Sequence, residues 1–139
     1  MFELTGKKAL VTGASGGIGE EIARLLHKQG ATVGLHGTRR ERLEALAAEL
    51  GDRVAIFTAD IGDRSKIKSL AEAAESELGG VDILVNNAGI TKDGLMMRMS
   101  DEDWDNVINI NLNAAFLLTR EFVSPMLKRR YGRIINITS

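Results

Sequence analysis

Short apolar runs and amphipathic helical stretches take turns along this chain, and that alternation limits the fold more than any other feature. "KKALVTG" is a short apolar run closed by glycine and reads as a strand. Ile18, Ile22, Leu25 and Leu26 then share one helical face, with Gly30 just past its end. "ATVGLHG" is a second strand, followed by a helix that repeats Leu43, Leu46, Ala47 and Leu50 and stops at Gly51. "RVAIFTAD" is a third strand, "SKIKSLAEAAESELGG" a third helix and "VDILVNNAG" a fourth strand. A long helical region runs from Asp101 to about Arg130, with Ser100 as its expected N-cap and acids in its first turn. Pro125 is expected to kink or shorten it, because proline removes a donor. "RIINITS" is a fifth strand.

Strands joined by helices imply a parallel sheet with right-handed crossovers and both faces covered. The fold class is therefore α/β, a Rossmann-like doubly wound sheet. Five strands are expected in the order 3-2-1-4-5. In such sheets ligands bind beyond the C-terminal strand ends, so the residues after each strand are the ones to read. Composition adds little to this. Apolar residues make up 44% and charged residues 27%, and a net charge of −1 gives no overall pull toward nucleic acid or membrane. Cysteine is absent, which excludes thiolate chemistry and fits a reducing, cytoplasmic setting. No metal site is expected. The N-terminus shows no signal-peptide pattern, and nothing approaches the ~20 apolar residues of a membrane span.

After the first strand comes "TGASGGIGEEIA". Small residues between a strand and a helix let the backbone approach a phosphate, and the helix start supplies free N–H donors. Gly13, Ser15, Gly16, Gly17, Ile18 and Gly19 are the candidate phosphate residues. The alternative is a tight turn that merely needs glycine. A nucleotide-triphosphate loop is excluded, because Glu20 and Glu21 stand where it needs Lys and Ser/Thr. After the second strand, positions 36–40 read His-Gly-Thr-Arg-Arg, with no acid to accept from a ribose hydroxyl. Arg39, with Thr38 beside it, suits a 2′-phosphate, which implies NADP(H). The competing reading is that Arg39 and Arg40 simply begin a solvated helix.

Thr12, Gly13, Gly17 and Gly19 form T-G-x-x-x-G-x-G, and Asn86 to Gly89 form N-N-A-G after the fourth strand. The two motifs together resemble the short-chain dehydrogenase/reductase family, and the resemblance covers the whole chain. Within the family, "NNAGITKDGLMMRMSDEDWDNVININL" and "GRIINITS" are most similar to the bacterial 3-oxoacyl-(acyl-carrier-protein) reductases of fatty-acid biosynthesis. The resemblance implies that Asp60 and Ile61 contact the adenine, although an Asp after a strand also caps turns. It implies that Asn87, Ala88 and Gly89 lie along the cofactor, with Asn86 stabilising the sheet. The methionines between Gly94 and Met99 are gap-filling core or an acyl entrance.

The implied reaction is hydride transfer between nicotinamide and a carbonyl or alcohol carbon. Asn111 matches the family's water-holding asparagine and Ser139 its substrate-binding serine. A mid-helix Asn is otherwise an ordinary surface residue. The proton-donating tyrosine and its lysine should follow Ser139. Tyr131, the only tyrosine, precedes the last strand and has Ile135, not lysine, four residues on. The expectation is an incomplete NADP-binding domain over residues 1–139, lacking its C-terminal strands, inactive and poorly stable by itself. The resemblance further implies a homotetrameric parent, and an acyl carrier protein docking at Arg129 and Arg130, although cations also suit a helix C-terminus without any partner. Another short-chain reductase acting on acetoacetyl-CoA or another small carbonyl compound, or a non-catalytic dinucleotide-binding module, stays open.

Overall fold

The computed structural model describes residues 3–88 and 100–137. Five strands form one parallel sheet: β1 (Lys8–Val11), β2 (Thr32–Gly37), β3 (Val54–Thr58), β4 (Ile83–Asn86) and β5 (Arg133–Asn136). Their order across the sheet is β3-β2-β1-β4-β5, the order expected of a Rossmann-like sheet. The helices are α1 (Gly17–Lys28), α2 (Arg40–Leu50), α3 (Arg64–Leu78), α4 (Asp101–Ile108) and α5 (Ala114–Arg129).

Period-two alternation in the strands divides the interior into two layers. Ala9 and Val11 on β1 join Val33, Leu35, Ile83 and Val85 under α1 and α2. Leu10, between them, points to the other face and packs with Leu84, Phe57 and the apolar residues of α3 and α5. Central strands are thus covered on both faces, which is why they read as continuous apolar runs. β1 runs beside both β2 and β4, with Val11 level with Leu35 and Val85. The strand order reverses direction here, and a crevice opens beyond the strand ends.

Two expectations need correction. Ile18 and Leu25 on α1 are not core residues; they are 64% and 59% exposed. The helix instead presses Gly19 and Ala23 against the sheet, because a Cβ-poor stripe lets the backbone come closest. The long C-terminal helical region is also not interrupted at Pro125. α5 runs through that residue, and the irregularity is a π-helical turn at Asn109–Asn113, between α4 and α5. Proline costs the helix the one bond its N–H would donate, whereas an i→i+5 turn shifts the phase of every side chain after it. Ser100 caps α4 as anticipated, its Oγ accepting from Asp103 N at 3.0 Å, and Asp63 caps α3 by accepting from Ser65 N at 3.0 Å.

Asn86 ties the last strand down. Its Nδ2 donates to Asn136 Oδ1 on β5 at 2.9 Å and to Thr119 Oγ1 on α5 at 3.2 Å. This is the sheet-stabilising role the motif suggested. Among the described residues, no helix is long and apolar enough to cross a membrane.

Candidate dinucleotide cleft

A cleft of about 720 Å³ lies beyond the C-terminal ends of β1, β2, β3 and β4. Gly13, Ser15, Gly16, Gly17, Ile18 and Gly19 form one wall. Thr38 and Arg39 stand at the end of β2, Asp60 and Ile61 beyond β3, and Asn87 and Ala88 beyond β4. These are twelve of the thirteen residues expected at a cofactor. Gly89, the thirteenth, lies outside the described residues, as do Ser139 and the methionines between Gly94 and Met99. Asn111 sits in the π-helical turn and is not a lining residue of the cleft.

The glycines of the first turn do different jobs. Gly13 has φ +66°, and a Cβ there would meet Ala88 Cα at 2.8 Å. A Cβ on Gly19 would come to 2.1 Å from Gly13 O and 2.6 Å from Asn87 Nδ2. Both are required by the protein's own packing. Gly17 is unlike them, since a Cβ there would meet no protein atom within 4 Å. Gly16 would approach only Gly13 O, at 3.9 Å. The space before these two is empty of protein. The N-cap residue, Gly16, supplies no side chain to cap α1, so the first-turn N–H groups keep their donor capacity and positive potential. An anion of phosphate size suits this place.

Thr12 holds the glycine turn against β4. Its hydroxyl donates to Val85 O at 3.2 Å and accepts from Asn87 N at 3.0 Å and Ala88 N at 2.9 Å. Asn87 closes the arrangement by donating from Nδ2 to Gly13 O at 3.2 Å. On the other side stands His36, only 2% exposed. Gly13 N donates to its Nδ1 at 3.3 Å, and its Nε2 lies 2.8 Å from Ala59 O. A carbonyl can only accept, so Nε2 carries the proton and the ring is neutral. Burial pushes its pKa below the ordinary 6.5, against the smaller opposing effects of the Ala59 carbonyl and the Asp60 charge.

The sequence reading gave Thr12 no role of its own and noted His36 only as a residue that was not acidic. A polar residue at the end of a buried strand was the available signal for both. Arg39 reaches back over the turn, Nη2 donating to Ser15 O at 3.3 Å. Asp60 Oδ1 accepts from Gly62 N at 2.9 Å, the turn-capping geometry weighed against an adenine contact.

The family model described as short chain dehydrogenase matches residues 7–139. The chain is 70% identical over its whole length to Nodulation protein G of Rhizobium sp. (strain N33), spanning 57% of that protein. Nodulation protein G of Rhizobium meliloti (strain 1021) is 65% identical over the same span. The 3-oxoacyl-(acyl-carrier-protein) reductase FabG of Rickettsia conorii is 50% identical, and the chain spans 56% of it. The chain thus covers little more than half the length of these curated relatives.

Proposed function

Given that the chain belongs to the short-chain dehydrogenase family, we propose that its cleft holds NADP(H) and that the protein reduces a 3-oxoacyl thioester carried on an acyl carrier protein. The observation that carries the cofactor reading is the open cradle at Gly16 and Gly17 above the uncapped start of α1. The pyrophosphate fits that cradle, and small residues there leave room for it. In this reading Asp60 and Ile61 serve the adenine and Asn87 and Ala88 the nicotinamide side, where Gly89 is assigned by its motif alone.

NADP(H) is favoured over NAD(H) by charge. Among the described residues the only acid lining the cleft is Asp60, beyond β3, while Arg39 stands at the end of β2 with its guanidinium over the glycine turn. A guanidinium pairs with a 2′-phosphate and gains nothing from a hydroxyl. Titration calorimetry with both cofactors tests this. The protein should bind NADPH at least ~10-fold more tightly than NADH, and Arg39→Ala should remove most of that preference, as loss of one charge-assisted pair requires. Equal affinities in the unsubstituted protein refute the assignment.

When bound, the cofactor would supply the hydride for the substrate's carbonyl carbon. The family motif assigns Ser139 to the carbonyl oxygen and Asn111 to a water on the proton path. Placement in a π-helical turn supports a special role for Asn111, since such turns recur at functional sites. Tyr131 is not the proton donor. It precedes β5, at the sheet edge opposite the cleft, with Lys7 Nζ 3.7 Å and the Arg133 guanidinium 4.9 Å from its ring centre. Residues 1–139 contain no Tyr-x-x-x-Lys pair, and their part in the proposed reaction is to hold the cofactor.

The substrate reading rests on the 50% identity to a reductase of that name. For carrier docking, the two arginines differ. Arg129 is engaged, donating to Glu75 Oε1 at 3.2 Å and Val81 O at 2.7 Å. Arg130 is exposed and its side chain makes no hydrogen bond or ion pair among the described residues. Docking therefore falls to Arg130. A homotetramer is supported by exposed apolar side chains on the π-helical turn and α5, where Leu112, Phe116 and Leu127 are 62%, 60% and 72% exposed.

A further inference from the structure

We propose that His36 is a positioning residue of the dinucleotide cleft, a neutral clamp between the glycine turn and the end of β3 that opens when the ring takes up a proton and so weakens dinucleotide binding. The inference rests on the cofactor reading above and extends it to a residue outside the family motifs.

The geometry allows one protonation state. Nδ1 must be bare to accept from Gly13 N, and Nε2 must be protonated to donate to Ala59 O. The ring therefore joins two walls of the cleft across 23 residues of chain in each direction. The main chain of the same residue adds a third tie, Ala14 N donating to His36 O at 2.7 Å. A proton added to Nδ1 faces the Gly13 N–H, donor against donor, and that bond cannot persist. Gly13 is the residue that meets Ala88 and supplies the carbonyl to Asn87, so its displacement is transmitted to the rest of the turn.

Among the described residues the charged groups near His36 are few. Asp60 faces it from the β3–α3 turn and favours the cation, while Arg39, beyond β2, is engaged with Ser15 O. From α1, Glu20 is turned away to Arg24, and from α2 the exposed Arg40 and Glu44 pair with each other. Burial prevails over Asp60, so the ring is neutral at neutral pH and protonates only in acid.

Titration calorimetry of the protein with NADP+ between pH 8 and pH 5.5 tests the clamp, with His36→Asn as the second protein. Asparagine offers an oxygen to Gly13 N and cannot titrate. The 2′-phosphate of NADP+ itself titrates in this range and affects both proteins alike. We expect similar affinity at pH 8, and an acid loss about fivefold larger in the histidine protein, the equilibrium value of one neutral hydrogen bond. His36→Leu should lose affinity at both pH values. If that variant does not fold, the His36→Asn comparison and the ring's nitrogen NMR shifts still decide. A bare Nδ1 at pH 7 that protonates in step with the loss of affinity supports the clamp. Parallel pH profiles for the two proteins, or a protonated Nδ1 at pH 7, overturn it. Absence of NADP+ binding at pH 8 overturns the cofactor reading, and the clamp with it.

Discussion

Two glycines in the same turn, two residues apart, should respond to alanine in opposite ways. In Gly19→Ala the new methyl lies 2.1 Å from Gly13 O, against the 3.4 Å at which ordinary contact begins. The obstacle is backbone and cannot rotate aside. Overpacking of this kind costs about 3 kcal/mol. Displacing Gly13 also strains the Asn87 Nδ2 bond to its carbonyl, for about 1 kcal/mol more. A loss near 4 kcal/mol corresponds to a Tm drop of about 15 °C for a domain of this size. In Gly17→Ala the methyl meets no protein atom within 4 Å, and φ there is not positive. Restricting the unfolded chain should stabilise the protein by about 0.4–1 kcal/mol. The same methyl stands at the cradle, so NADP+ affinity should fall about 10-fold or more as the phosphate is held off the α1 N–H groups. Urea melts and NADP+ titration of both variants separate the effects. If Gly17→Ala binds NADP+ as well as the parent, the phosphate does not sit over Gly17. If Gly19→Ala melts like the parent, the close approach of α1 to Gly13 is not a constraint on the fold.

Three other outcomes are expected. Burial keeps the pKa of His36 below its ordinary 6.5, so the native ring stays neutral where the unfolded chain protonates. Stability is therefore full above about pH 6.5 and falls as pH drops below it, a slope that His36→Asn should reduce in urea melts at pH 5.5 and 7.5. Arg130→Glu should weaken binding of a carrier-bound thioester and leave a small thioester unaffected, while Arg129→Ala should cost about 1 kcal/mol of stability through Glu75 and Val81; titration with both ligands would show an equal effect if Arg130 does not dock the carrier. Phe116→Glu should disperse the proposed tetramer in sedimentation, and an unchanged assembly would place the interface elsewhere.

The layers and the position of the cleft were readable because they depend on local rules. A period of two in "KKALV" sends Leu10 to one face and Ala9 and Val11 to the other, and the helical stretches between strands force parallel crossovers. Glycine spacing after β1 marked the tight strand-to-helix turn for the same reason, since such a turn is a property of a few adjacent residues. What folding alone decided is the choice of partners across the chain. A helical wheel could not tell that α1 would bury Gly19 and Ala23 and leave Ile18 and Leu25 outside, because closeness of approach, not apolarity, selects the face. The Thr12 hydroxyl serves Ala88, 76 residues away, and His36 joins Gly13 to Ala59. Of two neighbouring arginines, one is spent on Glu75 and the other is left to solvent. Each of these is a hydrogen bond or a steric limit between residues that only the sheet brings together, and periodicity along the chain contains no record of it.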